Sequence, residues 1–600
     1  MTASTSERPA SAPVRSPQWT SRPAARLRSG QVVATQVAAA LLIAAAGRGV
    51  VPTAVALLSA TLLLPAAWVR LRGRWLHEWL VTAAAYLTRR RALAPVADPA
   101  ALLELLRPGS VIGVTEASGG AAVLHDAAGL TALLELGDPD DLLGDHAHEL
   151  PTPFDLLPPT GPDAPAVRLQ LVFSSSPAPA PAVAAGPAGT SYRRLTDGRV
   201  AGRARVVLAV RVLRAEGWPD EDLSRALSGT LRRLVRRLGP LTARPLGGDA
   251  ALRVITELAH HEPGVPVRET WPQLSVGGLT QATWRLRRWP DPRGEATRGL
   301  IGRLLALPAT ATTVALTAGP RTGTAPVPAE LAVRVAAGSA AELSTAERTL
   351  RRIVGDVGGA WRRLDGEHLA GLAATLPLAV SGGAASPAGS PPPALDLPPT
   401  TAGLMVGANR HGAALTVRLF RPATTRVLLV GGVPAAQLLA LRALALGARV
   451  VVQTGRPRFW EPFVRGVGTV GGGVPLLPPG RPVGGAPGSP LHPLLVVVDA
   501  GPVPPEAGPA AAWQSVLVVR DELTPADTPA LARADLAVLQ PLDPDEAALA
   551  GAALGLGGSA EWLTRIRDDM VAVVNRRALR WALLSPTPVE SQLVGRPARH

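Results

Sequence analysis

The glycine pair in Val430-Gly431-Gly432-Val433-Pro434 sits between an apolar run, TRVLLV, and a helical pattern over 434–446. An open α/β sheet holds a phosphate at that kind of turn, on the N-terminus of the helix. The segment is not G-x-G-x-x-G. Gln453-Thr454-Gly455-Arg456 follows the second strand, where a dinucleotide fold places Asp or Glu. A tight turn that lets helix pack on sheet accounts for the same glycines. Asp499 closes the strand LLVVVDA, and Arg520-Asp521-Glu522 closes SVLVVRDEL. Carboxylates there occupy the usual ligand crevice, and they are also ordinary polar strand ends. Gly431, Gly432 and Asp499 are therefore the candidate ligand-binding residues, with no base or nucleophile beside them in the sequence.

Two histidine motifs have metal-ligand chemistry. His146-Ala147-His148 could chelate from a strand, and His260-His261-Glu262 ends a helix, where imidazole interacts well with the dipole. Neither has a third ligand at defined spacing, so both read as structural. No G-x-S-x-G, H-E-x-x-H or EF-hand loop is present. Trp271, Trp284 and Trp289 interleave with Arg285, Arg287 and Arg288. Such a pattern can stack on bases. On a strand it more simply turns Trp and Leu to a core and arginine to water or an acidic partner, which is the expectation here.

Composition removes whole classes of chemistry. The chain has 600 residues, and all 61 basic residues are arginine, since lysine and cysteine are absent. A Walker-A loop, a Schiff base, a thiolate nucleophile, a Cys zinc site and a disulfide are all excluded. The net charge of +15 is unevenly placed. Residues 1–100 carry twelve Arg and three acids, and the other five hundred carry only +6. A phosphate-backbone surface would carry its excess on the folded part, so nucleic acid is not an expected partner.

The elements that must position these residues follow from patterning. Residues 1–29 are Ser/Pro/Ala/Arg-rich and read as a disordered tail. Two uncharged apolar runs, 30–46 and 50–69, read as a transmembrane hairpin, giving two spans. Arginines crowd both flanks and only Arg48 lies between, so both termini and the large domain are expected on the cytoplasmic side of the inner (plasma) membrane. Trp68, Arg70, Arg72, Arg74, Trp75, Trp79, Arg89, Arg90 and Arg91 form an expected interface with membrane lipid, with an amphipathic juxtamembrane helix within 70–100. A secretory signal cleaved after Ala44-Ala45-Ala46 and a soluble-core hairpin are the alternatives. The rest divides into a small β-rich unit over 101–173 and a Pro/Ala-rich linker over 174–199. A ferredoxin-like α+β domain follows over 200–380, then a Pro-rich linker over 381–400, and a doubly wound, Rossmann-like α/β domain over 401–600.

Several segments together resemble a known family. RGRWLHEWL and TRRR follow the apolar hairpin, and GGLTQATWRLRRWP lies mid-chain. Then come GLMVGANRHGAALTVRLFRPATTRVLLVGGVPAAQLLALRALALGARVVVQTGRPRFWEP and LSPTPVESQLVG. The chain resembles the EccE component of the actinobacterial type VII (ESX) secretion system, from about residue 25 to the end. The resemblance implies an inner-membrane subunit with EccB, EccC and EccD as partners, EccC supplying the ATPase. It implies no cofactor, no metal and no catalytic residue, and hence not an enzyme. The rival reading is a membrane-tethered nucleotide- or sugar-nucleotide-binding enzyme using Gly431, Gly432 and Asp499.

Overall fold

The computed structural model describes residues 29–599 apart from 72–73, 96–97, 115–119, 139–140, 144–149, 160, 162–163, 292–293, 324, 381–394, 398–401, 469–472, 502–510 and 577. It is mixed α/β and separates into two units, 1–89 and 90–600. The expected tail and most of the 381–400 linker lie outside the described residues.

In the first unit, helix Ser29–Ala45 packs on helix Val50–Trp68. The second helix is long and apolar enough to cross a membrane. The first is apolar but shorter. Alanines make the contact: Ala38, Ala45, Ala56, Ala60 and Ala67 are buried. Large aliphatics point outward, with Val50 85% and Ile43 75% exposed. Small residues inside and Leu/Val/Ile outside is the packing of helices whose surroundings are themselves apolar. The juxtamembrane helix expected within 70–100 is Leu76–Thr88, preceded by a short hairpin of two-residue strands, Arg70–Leu71 with Arg74–Trp75.

The second unit holds two sheets. The larger has thirteen strands, all paired antiparallel. It is built from two copies of one four-strand arrangement: the second is a βαββαβ unit, and the first is the same with helix Pro187–Thr196 inserted between its second and third strands. In the first copy the strands are Gly129–Leu136, Val167–Pro177, Ala201–Leu213 and Ala243–Pro245. In the second they are Leu279–Arg288, Ala311–Ala318, Ala329–Ala337 and Ala360–Arg363. Numbered along the chain, each copy has the spatial order 4-1-3-2. The copies join through their second strands, with Val172 opposite Ala315. The sequence reading of a separate β-rich unit followed by one such domain over 200–380 is thus corrected. Ala201–Leu213 completes the first copy, and neither copy has a free inner edge. Period-two alternation serves both faces of the sheet. Val206, Leu208, Val210 and Val212 face one core, and Val207 and Ala209 the other.

The copies also mirror one another in buried charge. Arg211 in the first copy donates to Leu378 O, just past helix His368–Thr375, and Arg334 in the second donates to Leu258 O, near the end of helix Gly248–Ala259. Among the described residues Arg334 meets only neutral acceptors, Thr375, Gln281, Thr313 and that carbonyl. Its burial pulls the guanidinium down to about 9.

The smaller sheet has a parallel centre. In space its strands run Leu536–Leu539, Thr425–Val430, Gln514–Arg520, Leu494–Asp499, Arg449–Thr454 and Leu476–Leu477. Buried on both faces, these strands are near-continuous Val and Leu. Four antiparallel strands extend the Leu536–Leu539 side: Met570–Val574, Leu579–Leu583, Leu404–Ala408 and Ala414–Val417.

The expected 174–199 linker is instead the clasp between the sheets. It contains the end of strand Val167–Pro177 and helix Pro187–Thr196, which starts at a proline as helices commonly do. Buried Tyr192 donates from its hydroxyl to Gly403 O (3.2 Å) and accepts from Met405 N (2.9 Å), and Ser191 bonds Thr587 (2.6 Å). Burial raises the Tyr192 hydroxyl to about 12. Within the expected 381–400 linker, Leu395 and Leu397 are buried and Asp396 N donates to Arg298 O.

Candidate functional site

The carboxyl ends of the parallel strands form the crevice where such sheets take ligands. Here the chain fills it. Strand Thr425–Val430 ends at Gly431, whose N–H donates to Arg520 O (2.7 Å). Gly432 N–H donates to the side-chain oxygen of Gln540 (2.9 Å), and the Gln540 amide nitrogen donates to Pro597 O. A β-carbon on Gly431 would collide with the Gln540 carboxamide, and one on Gly432 would press on Ala598 O at 3.2 Å. Gly431 therefore serves close packing against Gln540, and Gly432 close packing against Ala598 and Arg599. Arg599 then spans the crevice. It donates to Asp521 O (2.8 Å), Pro541 O (2.8 Å) and the Glu546 carboxylate (2.7 Å). The Gly432 N–H that would meet a phosphate at the start of helix Val433–Ala445 is already bonded.

Asp499 is not brought to the glycines, because strand Gln514–Arg520 lies between them. Its carboxylate is 2% exposed and fully engaged. Thr454 Oγ1 donates at 3.0 Å, Trp460 Nε1 at 2.9 Å, and Arg456 reaches both oxygens at 2.7–3.0 Å. Arg456 also bridges to Asp521 (2.5 Å), and these hydrogen bonds, to Asp521 and then Asp499, push its pKa up. Arg520 pairs with Asp527 at 2.6 Å. The carboxylates of Asp499 and Asp521 thus fasten loops by bidentate pairing with Arg456, and the Thr454 hydroxyl beside Asp499 is spent as a hydrogen-bond donor to it. Sequence reasoning missed Gln540, Arg456, Trp460 and Arg599. The one available signal was a polar Gln ending the apolar strand that reads LAVLQ.

His146 and His148 lie outside the described residues. His260 and His261 are both buried, and three of their four ring nitrogens are buried without a hydrogen-bond partner. Burial, then the nearby Arg334 and Arg203, holds His260 well below the ordinary imidazole range, and burial alone lowers His261. Among the described residues no group of three or more His, Asp and Glu is placed to hold a metal. Trp284 and Leu286 face the core as the alternation implies, but Arg285 does not face water: it is buried on the opposite face.

In the first unit the aromatic and basic residues do meet. Arg70 lies over the Trp75 ring (4.6 Å) and Arg74 over Trp79 (4.9 Å), close enough for cation–π attraction. Trp79 Nε1 donates to Leu71 O, and Trp68 Nε1 to Thr35 Oγ1. Arg72 lies outside the described residues. Arg90 is exposed, while Arg89 and Arg91 are half-buried. No model of a known protein family matches the chain, and no curated protein matches it.

Proposed function

We propose that the chain is a non-catalytic inner-membrane subunit of a type VII (ESX) secretion complex, similar to EccE. In this reading residues 30–69 cross the membrane twice, both termini and the large unit are cytoplasmic, and the chain anchors and scaffolds at the complex's cytoplasmic periphery. Its partners are EccB, the EccC ATPase and EccD. The observation that carries the reading is the 29–68 hairpin, which packs on alanine and turns its large aliphatics outward. The filled crevice adds to it: the place an α/β enzyme would use is occupied by residues 597–599. A chain without lysine cannot be the P-loop motor of a machine, so energy must come from another subunit.

The test is detergent extraction of the tagged protein from its native membrane, with identification of what copurifies. Co-recovery of EccB-, EccC- and EccD-type components is the expected result. Recovery of the protein alone would remove the proposal.

A further inference from the structure

A second cavity lies where the two sheets of the large unit meet, away from the strand-end crevice. It encloses about 130 Å³. That is comparable to a cavity of about 150 Å³ that holds one benzene ring. Its walls are largely apolar, with Leu404, Leu419, Leu491 and Trp513 among them, and they also carry Arg203, Arg205, Arg418, Arg421 and Glu135.

The charges are not equally matched. Arg205 pairs with Glu135 (2.9 Å) and Glu257 (2.5 Å). Arg421 pairs with Asp535 (3.2 Å), and Arg418 donates to Asp138 O (3.1 Å). Glu135 is therefore already committed. The Arg203 side chain makes no hydrogen bond or ion pair among the described residues, although its backbone is paired with Ser176 in the sheet. Its guanidinium instead lies over the Trp513 ring, 5.4 Å from the centroid. Desolvation pulls it down to about 10 against the opposing field of Glu257. Glu257 is itself paired with Arg205, so Arg203 has no carboxylate of its own, which is costly for a desolvated cation.

The ring beneath it is also held at a cost. Trp513 has φ +58°, a left-handed conformation unusual for a bulky residue. Backbone bonds fix it there, from Trp513 N to Arg421 O (2.8 Å) and from Leu494 N to Trp513 O (2.9 Å). Gly488 lets that carbonyl approach, since a β-carbon would collide with it. Strained backbone maintained by its surroundings tends to mark a site.

We propose that this cavity binds a small anionic molecule, its oxyanion on Arg203 and an apolar body of about one ring against Leu404, Leu419 and Leu491. The oxyanion is a carboxylate or a phosphate. A guanidinium donates to either in a planar fork, and the short apolar wall limits the size of the rest.

The test uses the full chain in lipid nanodiscs with two probes, 4-(trifluoromethyl)benzoate followed by ¹⁹F NMR and inorganic phosphate followed by ³¹P NMR. Saturable line broadening of at least one probe is expected. Benzoate alone assigns a carboxylate ligand, and phosphate alone a phosphate. Arg203→Gln should weaken binding at least tenfold while leaving the melting temperature unchanged or higher, because it removes a half-buried charge that has no carboxylate of its own. Leu491→Trp, which fills the cavity from its rim and keeps Arg203, should also abolish binding. No saturable broadening with either probe overturns the proposal, as does binding that survives either variant. A melting temperature lowered by Arg203→Gln with binding retained assigns Arg203 a structural role and overturns it equally.

Discussion

Arg442 and Glu590 are each 1% exposed and bonded to one another twice at 2.9 Å. The remaining three guanidinium hydrogens go to Val406 O, Leu584 O and, at 3.4 Å, Met405 O. Glu590 also receives Thr587 N–H as the reciprocal half of a capping box. Removing one partner of such a pair leaves a buried charge uncompensated. Glu590→Ala should cost about 3–5 kcal/mol in urea unfolding, while exposed Glu522→Gln stays within about 0.5 kcal/mol. His260 and His261 set a pH limit. Both have folded pKa values below the unfolded value of 6.5, so the folded chain resists a proton that the unfolded chain accepts. Their contribution is whole above pH 6.5 and is lost as pH falls below it toward the folded values. The urea midpoint should be flat from about pH 7.5 to 7 and should drop below 6.5. His260→Asn, which tolerates the left-handed φ of +58°, should flatten that drop.

At the scale of elements, what looks like a nucleotide turn is a packing turn. Gly431→Ala should destabilise the large unit by about 1–3 kcal/mol, as overpacking does, because Gln540 must move. A thermal-shift series of nucleotides should give no stabilisation of the parent chain, and a shift with any nucleotide would contradict the packing assignment. Arg599→Ala should raise amide hydrogen exchange across 595–599 at least tenfold, since that side chain holds the segment to Glu546 and two carbonyls. Unchanged exchange would mean that the segment is held elsewhere. The parallel strands were legible in the sequence because burial on both faces demands unbroken runs such as TRVLLV and LLVVV. The glycine turn was legible in position but not in purpose, because Gln540 and Pro597 lie more than a hundred residues away in the chain. Residues 174–199 were misread because Pro and Ala composition is shared by linkers and by helices that begin at proline. What distinguishes them is the distant partners of Ser191 and Tyr192. The duplication was invisible because the copies share strand order and a buried arginine, not recognisable sequence.

At the scale of the molecule, the absence of cysteine makes topology directly testable. Single cysteines at Ser11, Arg48 and Ser559 should divide into two classes with a membrane-impermeant maleimide on intact cells. Arg48→Cys should label from outside, and the other two only after lysis. Labelling of all three, or of none, before lysis would remove the two-span arrangement. The clasp at 187–196 has a consequence for how the protein is made. Ser191 is joined to Thr587, 396 positions later, and Tyr192 to Gly403 and Met405 more than 200 positions later. A ribosome emits the helix long before it emits anything that covers it. Until residue 403 is made its buried face waits uncovered, while the apolar hairpin ahead of it has already emerged. A chain arrested before residue 403 would lack all of these partners, so such truncated products should be the ones that chaperones and proteases capture.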